Sequence, residues 1–358
     1  MSVNFRPIWI APALLMLAAC GSTPPDAPAA ANPLDQRPQP WQRQGEPVLS
    51  AYTTKQDWSK VVVYSPFVMH KDGKFKMWYL GTSTGSRSTD IALGYAESDD
   101  GLDWREYDGN PILTGDDVPW GPNIQTPFVL FDEEEQIYKM WFVSVVHIER
   151  GADGKMTEMT QSLGYATSPD GLRWKVHPEP IYESGRSPSV IKEGPNRYRM
   201  WMGSRPSREH PAGDLARNFY EFTSSDGVNW ERLDPPVMHP SGKATTIVYP
   251  FVLKENGRYD MWYGGHIEGG TFEIFHATSD DGTRWKTDHE NIAFPSTKEK
   301  DRFDGRYTST PRVLSLPDRY LLYYSARDWR NEYVDNQGRQ QTDKDGIYAH
   351  VGVAVIVK

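Results

Sequence analysis

Cysteine is nearly absent: the 358 residues contain one, Cys20. A disulfide within the chain is therefore impossible, and so is a site built from several thiolates. Long apolar runs are missing too. The one candidate, residues 8–19, is too short for a spanning helix, which needs about 20 residues. Basic residues are in the minority, 39 Lys and Arg against 48 Asp and Glu, for a net charge of −9. No basic stripe breaks that balance, which argues against a nucleic-acid partner. Only 38% of residues are hydrophobic, yet 13% are aromatic. That combination describes an aromatic-rich core beneath long polar loops. The length allows one large all-β domain or two smaller ones.

The apolar run follows a lone charge, Arg6, and ends in "LAAC" at Cys20. A short apolar run closed by small residues reads as a secretory signal. A cysteine directly after Leu-Ala-Ala resembles the bacterial lipobox, where the peptide is cut before the cysteine and the thiol is lipidated. An ordinary signal peptide with a chance cysteine is the alternative. Gly21 and Ser22 follow the cysteine, with no aspartate between, which by analogy favours the outer membrane, facing the periplasm or the cell surface. Residues 1–19 are thus expected to be a signal peptide and 20–40, rich in Pro and Ala, a tether that cannot bury a core. A lipid on Cys20 would be the only membrane contact.

From residue 41 onward the chain repeats. Pro66, Pro127, Pro188, Pro250 and Pro311 are spaced 61 or 62 residues apart. Each opens a short apolar run: "PFVM", "PFVL", "PSVI", "PFVL", "PRVL". A polar turn leads to a second run, as in "FKMWYLG", "YKMWFVS" and "YDMWYGG". A third run enters an Asp-Gly turn and then a tryptophan: "SDDGLDW", "SPDGLRW", "SSDGVNW", "SDDGTRW". Asp-Gly between apolar runs signals a hairpin. Each unit is therefore a four-stranded antiparallel meander, and five in series predict an all-β fold, a five-bladed β-propeller. A five-unit solenoid is the competing arrangement.

Closure separates the two. The fifth unit ends in its third strand, "IYAHVGVAVIVK", and lacks a tryptophan strand. "WQRQGEPVL", Trp41 to Leu49, matches "WKVHPEPIY", Trp174 to Tyr182, in its Trp-to-Pro spacing. The N-terminal segment is therefore expected to complete the last blade and lock a ring spanning 41–358, which a solenoid gives no reason for.

The turns between first and second runs are short, whereas the loops between second and third runs are long. Long loops on a rigid scaffold are where binding sits, and the mouth they surround is the default pocket. Candidates for ligand contact there are Arg186, Arg205, His266, Arg327 and Trp329, each balanced by the plainer reading of a solvated loop side chain. Trp58, Trp120, Tyr249 and Tyr307 are further aromatics suited either to stacking on a ring or to packing. Glu221 stands where the other repeats carry Tyr95, Tyr165 and His276, and a structural pair with an arginine is the simplest explanation. No spacing of ligands supports a metal site or a cofactor, and a calcium or other ion on the axis has no sequence support.

The pattern P-x-V … G-x-Y-x-M-W-Y-x-G … A-x-S-x-D-G-x-x-W resembles the five-bladed propeller glycosidases, among them glycoside hydrolase families 43, 32, 68 and 117 and the mannoside phosphorylases of family 130. The likeness covers about 41–358. It implies a carbohydrate substrate and a pair of carboxyl groups, one to protonate the leaving oxygen and one to activate water or attack carbon. In families 43 and 32 the acids lie near the conserved proline positions. Here those positions hold Ser65, Thr126, Ser187, Tyr249 and Thr310, none acidic. The acids are then expected from the loops, with Glu268 and Asp328 leading and Asp90, Glu149 and Glu221 in reserve. A non-catalytic carbohydrate-binding or envelope scaffold propeller is the alternative.

Overall fold

The computed structural model describes residues 32–84, 90–121, 123–150, 156–204, 218–269, 271–334, 337–342 and 348–358. Of residues 146–150 and 156–159 it describes the backbone alone. Cys20, the expected signal peptide, most of the expected tether and Arg205 lie outside the described residues, as does the side chain of Glu149.

Five antiparallel sheets form the blades of a propeller. The innermost strands are Val62–Lys71, Asn123–Asp132, Arg186–Gly194, Thr246–Glu255 and Tyr307–Ser315. The second strands, such as Lys74–Thr82 and Arg258–His266, are apolar on both sides because each blade is covered by two neighbours. Trp78, Trp141, Trp201 and Trp262 are fully buried there. Each such indole contributes about 5 kcal/mol, from ~200 Å² at ~25 cal/mol per Å².

Those tryptophans also fasten the blades to one another. The indole of Trp78 donates to the Gly171 carbonyl of the next blade's Asp-Gly turn at 2.8 Å. Trp141 does the same to Gly227 at 2.7 Å and Trp201 to Gly282 at 2.7 Å. In blade 5 the second-strand residue is Tyr323, whose hydroxyl donates to Gly101 of blade 1 at 2.8 Å. The recurring Ser-x-Asp-Gly motif shapes these turns. The Ser98 hydroxyl accepts the Gly101 amide, and Asp100 accepts the amides of Leu102 and Asp103. Those two amides hold the Asp100 carboxyl below its ordinary pKa. The motif is thus architectural: it presents a glycine carbonyl, at positive φ, to a neighbouring blade.

Blade 5 closes as its sequence implies. Gln42 and Arg43 pair with Val355 and Ala354, and Leu49 and Ser50 pair with Val351 and His350. One seam remains, between blades 4 and 5, where the chain is cut and no Asp-Gly turn exists. There Gln39 takes over. Its side-chain oxygen accepts the indole of Trp262 at 2.9 Å and that of Trp41 at 2.8 Å. Trp230 and Trp285 make the corresponding second bond to Gly227 and Gly282. The compact unit of contacts runs from Pro33 to Lys358. Asp35 pairs with Arg258 at 2.6 Å, and Arg37 bonds to the buried His276.

Glu221, an acid among aromatics, is only 3% exposed. It pairs with Arg199 at 2.6 Å and accepts from Thr283 of the next blade at 2.7 Å. Its task is to join blades 3 and 4.

Candidate functional site

Every innermost strand carries the same irregularity. The register slips between Tyr64 and Phe67, Gln125 and Phe128, Arg186 and Ser189, Val248 and Phe251, and Ser309 and Arg312. At each slip the residue before the proline takes a positive φ, from 45° at Thr126 to 59° at Ser187. Proline normally holds its predecessor in the extended region, so a positive φ at all five positions marks a strained bulge. A non-glycine residue held so costs about 1–3 kcal/mol. The prolines that mark the repeat therefore mark a fivefold ring of bulges around the axis.

The strands enter this ring from the end that carries the long second-to-third loops. On that face blades 3 to 5 build a continuous ledge. His266, ending the second strand of blade 4, packs on Phe272 at 4.4 Å between ring centres. Phe272 lies 6.5 Å from Tyr249 and 6.4 Å from Tyr307. Arg186 covers Tyr249 at 5.8 Å. Arg306 lies over Tyr307 at 4.8 Å and over Trp329 at 5.8 Å. Trp329 is 48% exposed, so its indole face is open to the mouth. Tyr64 and Tyr348 stack at 5.3 Å beside this ledge, both kept protonated by burial. Gln125 and Gln161 share a bond of 2.9 Å at the entrance of blade 2. Burial lowers the His266 pKa, so its ring is neutral at pH 7. Among the described residues no ion pair joins Arg186 or Arg306 to a carboxylate.

Three of the residues expected to touch ligand, Arg186, His266 and Trp329, are thus brought together, along with Tyr249 and Tyr307. Arg327 pairs with Tyr307 across the strands, but its side chain lies beneath the surface. It is fully buried and donates to the Arg330 carbonyl at 2.9 Å, where it shapes the turn rather than the surface. Trp58 and Trp120 serve packing: Trp58 fills the space over Gly94, and Trp120 stacks on Phe142 at 5.8 Å. Phe272 and Arg306 were not singled out in the sequence. Their signal was present, since each sits beside a strand start at the loop end.

The expected carboxylates differ in setting. Glu268 is exposed at the turn joining the second and third strands of blade 4. Asp328, at the corresponding place in blade 5, is 1% exposed. It pairs with Arg330 at 2.6 Å, accepts from the Tyr52 hydroxyl at 3.0 Å and lies 3.7 Å from His350. Burial opposes its charge, but His350 and Arg330 hold its pKa at about 2. It is ionised at neutral pH and cannot be the proton donor. Asp90 is exposed and accepts from Thr82 and Thr84 at 3.0 and 2.7 Å. No group of three or more His, Cys, Asp or Glu among the described residues is placed to hold a metal.

No known family profile matches the chain. An uncharacterized protein of Mycobacterium tuberculosis is 29% identical over 164 residues, 40% of this chain and 54% of that one. A 1,2-β-oligomannan phosphorylase of Thermoanaerobacter is 26% identical over 191 residues, 50% of this chain and 57% of the enzyme. The chain thus matches little more than half the length of these relatives. Solved structures align over far more of it. A member of the GH130 family, whose mannoside phosphorylases include hydrolases of β-1,2-mannosidic linkages in Candida mannan, has a TM-score of 0.62 at 17% identity, covering 88% of this chain and 93% of the other. The catalytic domain of the Coprinopsis cinerea GH62 α-L-arabinofuranosidase aligns with a TM-score of 0.60 at 13% identity, over 88% and 96%. An N-acetylgalactosamine deacetylase of F. plautii in complex with blood group B trisaccharide gives 0.61 at 14%, over 88% and 95%. The fold is therefore the five-bladed propeller found in GH130 and other glycosidase-like proteins.

Proposed function

We propose that this protein acts on an oligo- or polysaccharide bound at the long-loop mouth of the propeller. The observation that carries the reading is the ledge running from His266 through Phe272, Tyr249 and Tyr307 to the exposed Trp329, edged by Arg186 and Arg306. Flat aromatic faces beside hydrogen-bond donors match the alternating C–H and O–H surface of a sugar ring. Glycosidic bond cleavage is the favoured chemistry. Asp328, held ionised, is the base or nucleophile side of a pair. Glu268 is the proton donor, standing at the exposed turn where a bound glycan would cover it. The partial likeness to an oligomannan phosphorylase makes β-1,2-mannosides the first substrates to try and inorganic phosphate an alternative to water. Non-catalytic glycan binding is the second reading, and the sealed position of Asp328 favours it.

A panel of oligosaccharides, assayed with and without inorganic phosphate, separates these readings. Glu268→Gln and Asp328→Asn should each lower turnover by orders of magnitude while circular dichroism stays native. Wild-type turnover in both variants removes the assignment. Binding without cleavage, weakened about tenfold by Trp329→Ala, establishes the binding reading. We place the protein on the outer membrane through a lipid on Cys20, on the strength of "LAAC" alone. Cys20→Ser should abolish lipid labelling and release the protein from the membrane fraction. A labelled, membrane-bound Ser variant refutes the anchor.

A further inference from the structure

At four of the five bulges the residue after the proline is Phe67, Phe128, Ser189 or Phe251; at the fifth it is Arg312. Its guanidinium lies on the axis. It stands 3.4 Å from the centre of the Phe67 ring, 4.1 Å from Phe251 and 4.9 Å from Phe128. Nε donates to the Val68 carbonyl at 3.3 Å. Nη1 is buried without a protein partner. Desolvation alone drives its pKa down, with no carboxylate acting on it. The lysines at the far end of the axis do not change this. Lys71, Lys192 and Lys254 are paired with Glu133, Asp132 and Glu193, so those acids are already engaged.

A guanidinium stays protonated at any working pH, and an unpaired buried charge is costly. Three aromatic faces offset part of that cost. Arg312 borders a cavity of about 40 Å³ on the axis, ringed by the five prolines and the residues before them. Two other side chains of that ring are buried with unpartnered hydroxyls: Thr126, 7% exposed, and Ser187, 3% exposed. Three residues that line this small cavity thus each carry an unpartnered donor, and Arg312 also borders the open pocket at the far end of the axis. A water needs about 10–15 Å³, so there is room for a monatomic ion and none for a sugar.

We propose that the axial cavity binds a small inorganic anion of halide size, held by Arg312 Nη1 and the hydroxyls of Thr126 and Ser187. The anion neutralises the guanidinium and ties blades 2, 3 and 5 together at the axis. A cation is excluded there by the charge of Arg312, and a water would leave that charge uncompensated. The inference is independent of the glycan reading.

Crystals of the full folded chain grown in bromide test the site directly. A single anomalous peak within hydrogen-bond distance of Arg312 Nη1 is expected. In solution, the wild-type melting temperature should be several degrees higher in chloride or bromide than in gluconate, too large to enter, at equal ionic strength. Arg312→Met keeps the packing on the phenylalanines and should lose the difference. Ser187→Ala, a smaller change, should raise the halide concentration for half-maximal stabilisation several-fold. Equal melting in halide and gluconate, or density on the axis that does not respond to bromide, overturns the proposal.

Discussion

Gln39 does with a side chain what glycine carbonyls do at the other blade seams. Its oxygen accepts two indoles, from Trp262 and Trp41, and its nitrogen donates to the Leu34 carbonyl at 2.6 Å. Removing it leaves the two buried indole N–H groups without partners, each costing about 1–3 kcal/mol. Gln39→Ala should therefore lower the unfolding free energy by at least 1–3 kcal/mol, read from the urea midpoint. A midpoint equal to wild type would mean that the seam is held otherwise. The sequence hid this residue. Gln39 sits in a Pro- and Ala-rich stretch that composition assigns to a tether. Its partner Trp262 is more than 200 positions away, and no local pattern announces such a bond. Glu221 was easier. An acid in a column of aromatics departs from the repeat, and that departure pointed to the arginine it meets.

Among elements, the N-terminal segment decides whether the ring is closed. Leu49 and Ser50 pair with the last strand, and the Ser50 hydroxyl bonds to His350 at 2.9 Å. Arg43 reaches the buried Asp304 at 2.7 Å and lies over Phe294 at 3.6 Å. Deleting residues 33–50 exposes the edge of the 350–357 strand and strips Trp262 of its acceptor. The loss spans several such interactions, so the melting temperature should fall by about 10 °C or more. A truncated chain that melts like the full one would show that the other four seams suffice. The register of this closing strand was legible because the Trp-to-Pro spacing of the repeat survives at 41–49. Its extension back to Pro33 was not, because the residues from Pro33 onward fold through contacts with blade 4 rather than through any periodicity.

The whole molecule carries a pH signature. His276, His289 and His350 all have pKa values lowered from 6.5, chiefly by burial. Each holds a proton less readily folded than unfolded, so below pH 6.5 unfolding takes up protons. The unfolded state then binds more protons, so stability is full above pH 6.5 and declines as pH falls, by up to about 1.4 kcal/mol per pH unit for each histidine. Asp226 and Asp328, held at about 2, act lower. Their contribution is complete above the ordinary aspartate range near 4 and disappears as pH falls towards 2. Urea midpoints should drop between pH 7.5 and 5 and again below 4. A midpoint flat from 7.5 to 5 would show that the histidines titrate alike in both states.

The sequence by itself determined the architecture. Five prolines at 61- or 62-residue intervals, four Asp-Gly-x-x-Trp turns and a displaced fifth tryptophan strand specify blade number, strand order and closure. They do so because a propeller repeats one local unit, and local units are written in local patterns. It also indicated the working face, because loop length is a local property. Tertiary structure decided what meets on that face. Arg186, Tyr249, Phe272, Tyr307 and Trp329 come from three blades, and their union depends on the curvature of the ring. Arg327 and Asp328, adjacent to Trp329 in sequence, turn inward to Arg330, Tyr52 and His350. A charge reads the same in a sequence whether it faces solvent or is sealed. Burial is set by neighbours from distant segments, and it is burial that fixes the protonation and reach of each group.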